Sequence, residues 1–398
     1  LEADPFLGRL LTGRIETGSV APNSTVHALS RSGETVEKGR ITKLLSFRGL
    51  SRQPIEEAHS GDIVTIAGLS SATVADTLCD PSINAPIASL PIDPPTLAVT
   101  FQINDSPLAG RDGSKVQSRV IRERLMREAE GNVALRVRDT DSKDAFEVAG
   151  RGELQLAVLI ETMRREGYEL SVSRPRVLFR DNPETGKREE PIEEVVVDVD
   201  EEYAGAVVAS VSERKGELQE MRPSGGGKQR LVFLAPARGL IGYHGQFLTE
   251  TRGAGVMNRV FHGYAPHKGP IVARRTGVLV SMETGKAVPY ALFNLEERGF
   301  LFVSPGDPVY QGMVIGENSK AGDLEVNPLK AKQLTNIRAS GKDDAIKLTP
   351  PRRMTLEQAL AYIDEDELVE VTPQSVRLRK ELLDPHERKK ASRQREAS

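Results

Sequence analysis

The run AGRGELQLAVLIETMRREGYELSVSRP, residues 149–175, decides the fold. Its apolar residues first fall at helical spacing over about 153–166, and Gly167 stops that helix. Tyr168, Leu170 and Val172 then alternate with polar neighbours, the period of a half-buried strand. Upstream, Phe146 and Val148 mark a second strand, and Val133, Leu135 and Val137 a third. Further back, Val116, Val120, Ile121, Leu125 and Ala129 recur at helical spacing until Gly131 ends the helix from beyond its last turn. Leu97, Val99, Phe101 and Ile103 alternate again. The order over 96–174 is βαββαβ, the ferredoxin-like split βαβ unit.

Residues 192–263 repeat the plan. A strand at Val195–Val199 precedes Ala204, Val207, Val208 and Val211 at i, i+3, i+4, i+7. A hairpin through SGGGK (224–228), a helix starting near Arg238 and a strand at about 255–262 complete it. Before residue 90, GRIETGSV (13–20) and SGDIVTIAGL (60–69) are short β runs with the turn punctuation of a small barrel. Beyond 270 the pattern is β-rich. Proline-marked breaks at 91–96, 181–191 and 265–270 separate these parts. The expectation is a multidomain α+β protein: a β-barrel over 1–93, ferredoxin-like domains over 94–181 and 189–266, a β-rich domain with a basic loop over 267–385, and a disordered basic tail over 386–398.

The chain has 398 residues, 38% hydrophobic and 28% charged, enough for several separate cores. No apolar stretch approaches the roughly 20 residues of a membrane span, and no secretion signal is present. The single Cys79 excludes an intrachain disulfide, and a reducing, cytoplasmic setting is expected. LEADPFLGRL opens inside what reads as folded sequence, so the chain is expected to be a piece cut from a longer protein.

Nothing here assembles a catalytic centre. There is no G-x-x-x-x-G-K-[ST], and SGGGKQR lacks both the spaced first glycine and a Ser/Thr after Lys228. His262 and His267 flank Pro266 with no third ligand near, and no G-x-S-x-G occurs. No catalytic residue, cofactor or metal is assigned to this chain.

Charge distribution is more informative than the formal net of −3. Residues 327–353 hold seven Lys/Arg against two Asp, a net of +5, and residues 374–398 hold eight against four acids, a net of +4. The remainder is therefore acidic, and two cationic segments on an acidic body suggest contact with a polyanion. Within NPLKAKQLTNIRASGKDDAIK (327–347), Lys330, Lys332, Arg338, Lys342 and Lys347 supply charge for phosphates. Thr335, Asn336 and Ser340 can reach sugars and base edges, and Gly341 lets backbone approach closely. A second, weaker candidate set is Arg238, Arg252, Arg259, Lys268, Arg274 and Arg275.

Several stretches together carry a family resemblance. Residues 149–175 resemble domain III of the translational GTPases of the elongation factor G class; EEPIEEVVVDV (189–199) is similar to the opening of their domain V, and the barrel to their domain II. PARGLIGYHGQFLTETRGAGVMNRVFHGYAP (236–266) and QLTNIRASGKDDAI (333–346) resemble the BipA/TypA family in particular. The resemblance implies a ribosome-associated GTPase whose G domain, with its GTP and Mg²⁺, lies outside these residues, and whose barrel begins a strand before Leu1. It implies docking against large-subunit rRNA near the stalk base. The C-terminal loop would reach towards the acceptor end of an A-site tRNA, with Lys330, Lys332, Asn336, Arg338, Ser340, Gly341 and Lys342 in contact. It further implies roles in large-subunit assembly, translation and cold or stress adaptation, as a monomer. The rival readings are a LepA-like factor, which should lack the 333–346 stretch, a protein-interaction scaffold, and an enzyme with an unrecognised site.

Overall fold

The computed structural model describes residues 1–4, 6–271, 274, 276–331 and 347–396. They form two compact units, one comprising 1–95 with 122–138 and 148–151, the other 96–121, 139–147 and 152–398.

The first unit is built on a five-stranded sheet in the order Glu2–Asp4, Gly8–Arg14, Ile63–Ala67, Lys43–Arg48, Ser51–Pro54, with a three-stranded sheet of Thr77–Cys79, Thr25–Leu29 and Thr35–Arg40. The inward positions, among them Leu11, Val26, Ile41, Leu44, Val64 and Ile66, form one core. Gly68 has φ +115°, and a Cβ there would meet the Arg40 carbonyl at 2.3 Å, so only glycine lets these strands close. Glu37 spans the same corner: its carboxylate accepts the N–H groups of Ser70 (2.9 Å), Ser71 (2.7 Å) and Ala72 (3.1 Å) and the Ser70 hydroxyl (2.8 Å). Partial burial pushes its pKa up, but these donors outweigh that and hold it at about 2. A carboxyl depressed in the folded state stabilises fully above its unfolded pKa of about 4.5 and loses that contribution as pH falls towards 2. Barrel stability should therefore fall between about pH 4.5 and 2, and Glu37→Gln should flatten that limb in acid titrations followed by circular dichroism.

The second unit contains the whole of one ferredoxin-like sheet and part of the other, whose residues 136–138 and 148–150 are assigned to the first unit. In the first, Leu97–Ile103, Arg136–Asp139, Ala145–Gly150 and Leu170–Ser173 lie in the sheet order 136–139, 145–150, 97–103, 170–173. The helix Glu153–Arg165 buries Leu156, Ala157, Leu159, Ile160 and Met163. Gly167, at φ +90°, turns the chain so that the Tyr168 N–H reaches the Met163 carbonyl at 3.1 Å. The strand expected from Val133 begins only at Arg136, because the Asn132 side chain accepts the Ala134 N–H at 3.1 Å and makes a turn first. The second module repeats the order, with Glu217–Gly225, Lys228–Pro236, Arg188–Asp200 and Val256–Pro266 as successive neighbours. SGGGK is the hairpin turn expected: Gly225, Gly226 and Gly227 all have positive φ, and Gly225 pairs with Lys228. The helix expected near Arg238 comes in two pieces, a 3₁₀ turn Ala237–Leu240 and an α-helix Tyr243–Glu250. Gly242 breaks them at φ +72°, where a Cβ would collide with the Ala361 Cβ at 2.5 Å.

The C-terminal strands continue the first ferredoxin-like sheet. Glu367–Val371 lies antiparallel to Leu170–Ser173, Val172 facing Val369 and Ser171 facing Glu370, and leads on to Val376–Lys380, Met313–Asn318, Val278–Ser281 and Leu324–Val326. Leu170, Val172, Val369 and Val371 are fully buried, so this junction is core. Two buried carboxylates anchor it. Glu370 accepts from Asn104 (3.0 Å), Ser106 (2.8 Å), Tyr310 (2.6 Å) and Arg377 (2.9 Å). Glu169 accepts the backbone N–H groups of Gly110 (2.7 Å), Asp112 (2.9 Å) and Gly113 (2.7 Å).

Candidate nucleic-acid interface

The strongest candidates from sequence fall largely outside the described residues: Lys332, Thr335, Asn336, Arg338, Ser340, Gly341, Lys342 and, separately, Arg275. Lys330 and Lys347 are described, and both are exposed. Each stands one residue outside a leucine that anchors the stem. Leu329 and Leu348 pack against the core formed by Leu279, Leu292, Tyr310 and Ile315. A Cβ on Gly285 would meet the Leu329 side-chain tip at 2.4 Å, so any larger residue there would push this leucine from its notch. The Asn327 side chain accepts the Leu329 N–H at 2.9 Å on one side, and Glu296 accepts the Thr349 N–H at 2.6 Å on the other.

Four of the second set are engaged internally, which corrects the expectation that they offer free charge. Arg238 is clamped on the fully buried Glu190 and also donates to the Gly269 carbonyl. Arg259 binds Glu193 at 2.7 Å, Glu153 at 3.3 Å and the Leu240 carbonyl at 3.2 Å. Lys268 reaches Glu217 at 2.7 Å. Arg274 makes a two-pronged pair with Glu367, both bonds 2.8 Å, and lies over the Tyr362 ring at 4.9 Å. For the three arginines the cause is the carboxylates: Glu190, Glu193 and Glu367 are carried into the interior and each needs a cation there, whereas the Lys268 partner, Glu217, is exposed. Burial would raise the Glu367 pKa, but Arg274 and Lys380 hold it below the ordinary carboxylate range. Arg252 remains, exposed and with a left-handed backbone (φ +50°) just after the helix Tyr243–Glu250.

The end of the chain, expected to be helical and then disordered over 386–398, carries its helix further than expected. Pro385–Glu396 is a helix. Asp384 accepts the N–H groups of His386 (2.6 Å) and Glu387 (3.3 Å), with Pro385 in the first helical position. Asp-Pro-x-Glu at 384–387 is the start signal that charge density masks. Arg388 fixes the helix to the body, donating to the carbonyls of Leu382 (2.8 Å) and Leu383 (2.6 Å) and pairing with Glu325. His386, Lys389, Lys390 and Arg393 recur at i, i+3, i+4, i+7 and so share one face. Lys389, Lys390 and Arg393 are exposed and make no ion pair among the described residues.

The ends of the basic loop and the basic helix are thereby brought together. Glu325, which receives Arg388, belongs to the strand that leads into the basic loop, and Leu383 packs in the same cluster as Leu329 and Leu348. Loop stems and helix leave the body from one apolar cluster, and solvent-facing cations crown both. Such a surface suits phosphates spaced along a backbone. Among the described residues no group of three His, Cys, Asp or Glu is placed to hold a metal, and no helix is long and apolar enough to cross a membrane.

Three family models match: elongation factor Tu domain 2 over residues 8–79, the elongation factor G C-terminus over 187–275, and the TypA/BipA C-terminal domain over 276–385. Among curated proteins, the large ribosomal subunit assembly factor BipA of Haemophilus influenzae is 49% identical over 394 residues, covering 99% of this chain and 64% of that protein. The proteins of the same description from Escherichia coli K12 and Bacillus subtilis are 47% and 45% identical, covering 99% and 100% of this chain. The chain spans 64–65% of the length of these relatives.

Proposed function

This chain belongs to the TypA/BipA family of translational factors, and from that premise we propose that it is the ribosome-docking part of a large-subunit assembly factor. It grips ribosomal RNA, and the acceptor end of an A-site tRNA, through phosphates met by the 327–347 segment and the helix Pro385–Glu396. The observation that supports this reading is the convergence of the two ends of the 327–347 segment and of the basic helix's anchor on one apolar cluster. The acidic remainder of the chain favours a single orientation towards a polyanion. The work takes place in the cytoplasm, with the protein acting as a monomer, in assembly, translation and cold or stress adaptation.

GTP and Mg²⁺ are assigned to a G domain outside these 398 residues. SGGGK, the nearest imitation of a phosphate loop, does not fit them: it joins two strands as a hairpin turn and opens no helix.

Co-sedimentation with large ribosomal subunits over a salt series tests the reading. The wild-type chain should bind with a steep negative dependence of log affinity on log salt. Replacing Lys389, Lys390 and Arg393 together by Ala should reduce that slope by about three units, roughly 0.9 for each phosphate that is no longer neutralised. Salt-independent binding, or an unchanged slope, would sink the proposal.

A further inference from the structure

A cavity of about 370 Å³ opens elsewhere in the same unit, where the sheet forks. The strand Met313–Asn318 pairs along one edge with two successive partners. Met313 and Val314 face Arg379 and Leu378, whereas Gly316 and Asn318 face Leu301 and Gly299. The chain diverges between them, and Phe302, Met313, Met354 and Leu378 line the gap as apolar wall.

Four arginines also line it, Arg164, Arg352, Arg353 and Arg377, against one acidic residue, Asp307. Two are fixed. Arg377 is held by Glu370 at 2.9 Å and Asp112 at 3.4 Å, and Arg164 by the Thr372 carbonyl at 2.9 Å and Glu161 at 2.9 Å. The other two are more exposed, although Arg353 also donates to the Ser304 hydroxyl at 2.9 Å. Arg352 meets Glu317 only at 3.5 Å, and Arg353 meets Asp307 at 2.9 Å, with both arginine side chains more than half exposed. Exposed pairs of this kind contribute little, so an incoming phosphate with two-pronged geometry can displace them. Apolar walls with convergent cations describe neither bare phosphate nor a purely apolar ligand; they describe a phosphate joined to a flat ring.

We propose that this cavity is a nucleotide-binding site, its ring bedded on the apolar wall beside Phe302 and its phosphate held by Arg352 and Arg353. The nucleotide is either free or an unpaired residue of RNA; the second source rests on the docking reading above, the first does not.

The test titrates the chain with adenosine, guanosine, cytidine and uridine monophosphates, with ribose 5-phosphate and inorganic phosphate, and with a short single-stranded RNA. At least one nucleotide or the RNA should bind at least tenfold more tightly than ribose 5-phosphate and inorganic phosphate. The double substitution Arg352→Ala, Arg353→Ala should remove at least tenfold of that affinity while leaving the unfolding midpoint in place. Binding by mononucleotides assigns a free ligand, and binding by RNA alone assigns an everted base. The proposal is overturned if neither probe binds, if inorganic phosphate binds as tightly as the best probe, or if the double variant binds like wild type. The Lys389, Lys390 and Arg393 triple variant reads the docking face separately, so either proposal can fail alone.

Discussion

Glu370→Ala is expected to destabilise the protein by about 3–5 kcal/mol, the usual cost of removing one partner from a buried ion pair. Glu370 is fully buried, and its two oxygens accept four hydrogen bonds from side chains on separate parts of the chain. Alanine would leave the Arg377 guanidinium with only the 3.4 Å contact to Asp112, and would strand the Tyr310 hydroxyl in the core. Burial and the facing carboxylate already push the Tyr310 phenol well above its ordinary pKa, so it stays a neutral donor in need of an acceptor. Glu370→Gln keeps the shape and one acceptor oxygen and should cost distinctly less. Urea unfolding of the three proteins measures this, and an alanine variant within about 1 kcal/mol of wild type would show that the junction tolerates an empty centre. Because Glu370 faces Ser171 across the joined strands, the loss should appear as unfolding of the C-terminal strands together with the first ferredoxin-like sheet, not as fraying at one end.

Arg274→Ala should cost about 3 kcal/mol, while Arg252→Ala should stay within about 0.5 kcal/mol. The two are 22 positions apart in one cationic stretch and are indistinguishable there by composition. Arg274 gives both prongs of its guanidinium to Glu367, whose side chain is wholly buried, and donates to the Thr276 carbonyl at 2.8 Å. Lys380, at 2.9 Å, would be left as the main counter-ion. The variants differ in acid as well. Glu367 is depressed in the folded protein, so the stability it contributes is present above its unfolded pKa and disappears as pH falls through the folded value. Without Arg274 the depression shrinks, and the acid-induced loss of stability should become shallower. Thermal unfolding at neutral and acid pH separates these outcomes; equal effects of the two substitutions at neutral pH would contradict the assignment of Arg274 to the interior.

Much of the architecture was legible because helices and strands write their periods locally. Leu156, Ile160 and Met163 are spaced for one helical face and are buried on it; Gly167 and the three glycines of SGGGK take the positive φ that stops a helix or turns a hairpin. In two places where expectation and structure part, a short-range side-chain hydrogen bond intervenes. Asn132 makes a turn where alternation promises a strand, and Asp384 starts a helix where charge density suggests disorder.

The candidate site was legible only as charge. Sequence alone determined which segments are cationic, which runs are strands and helices, and that two βαββαβ modules follow a barrel, since each depends on neighbours within a few turns of chain. Tertiary structure decided which cations are free. Arg274 and Glu367 are 93 residues apart and Arg259 and Glu193 are 66 apart, and no local pattern marks them as partners. The same holds for Arg388 and Glu325, whose pairing ties the basic helix to the strand that leads into the basic loop. The physical reason is that a buried carboxylate must find its counter-charge wherever the packed sheets bring one within reach, and that meeting is fixed by strand pairing across the whole chain.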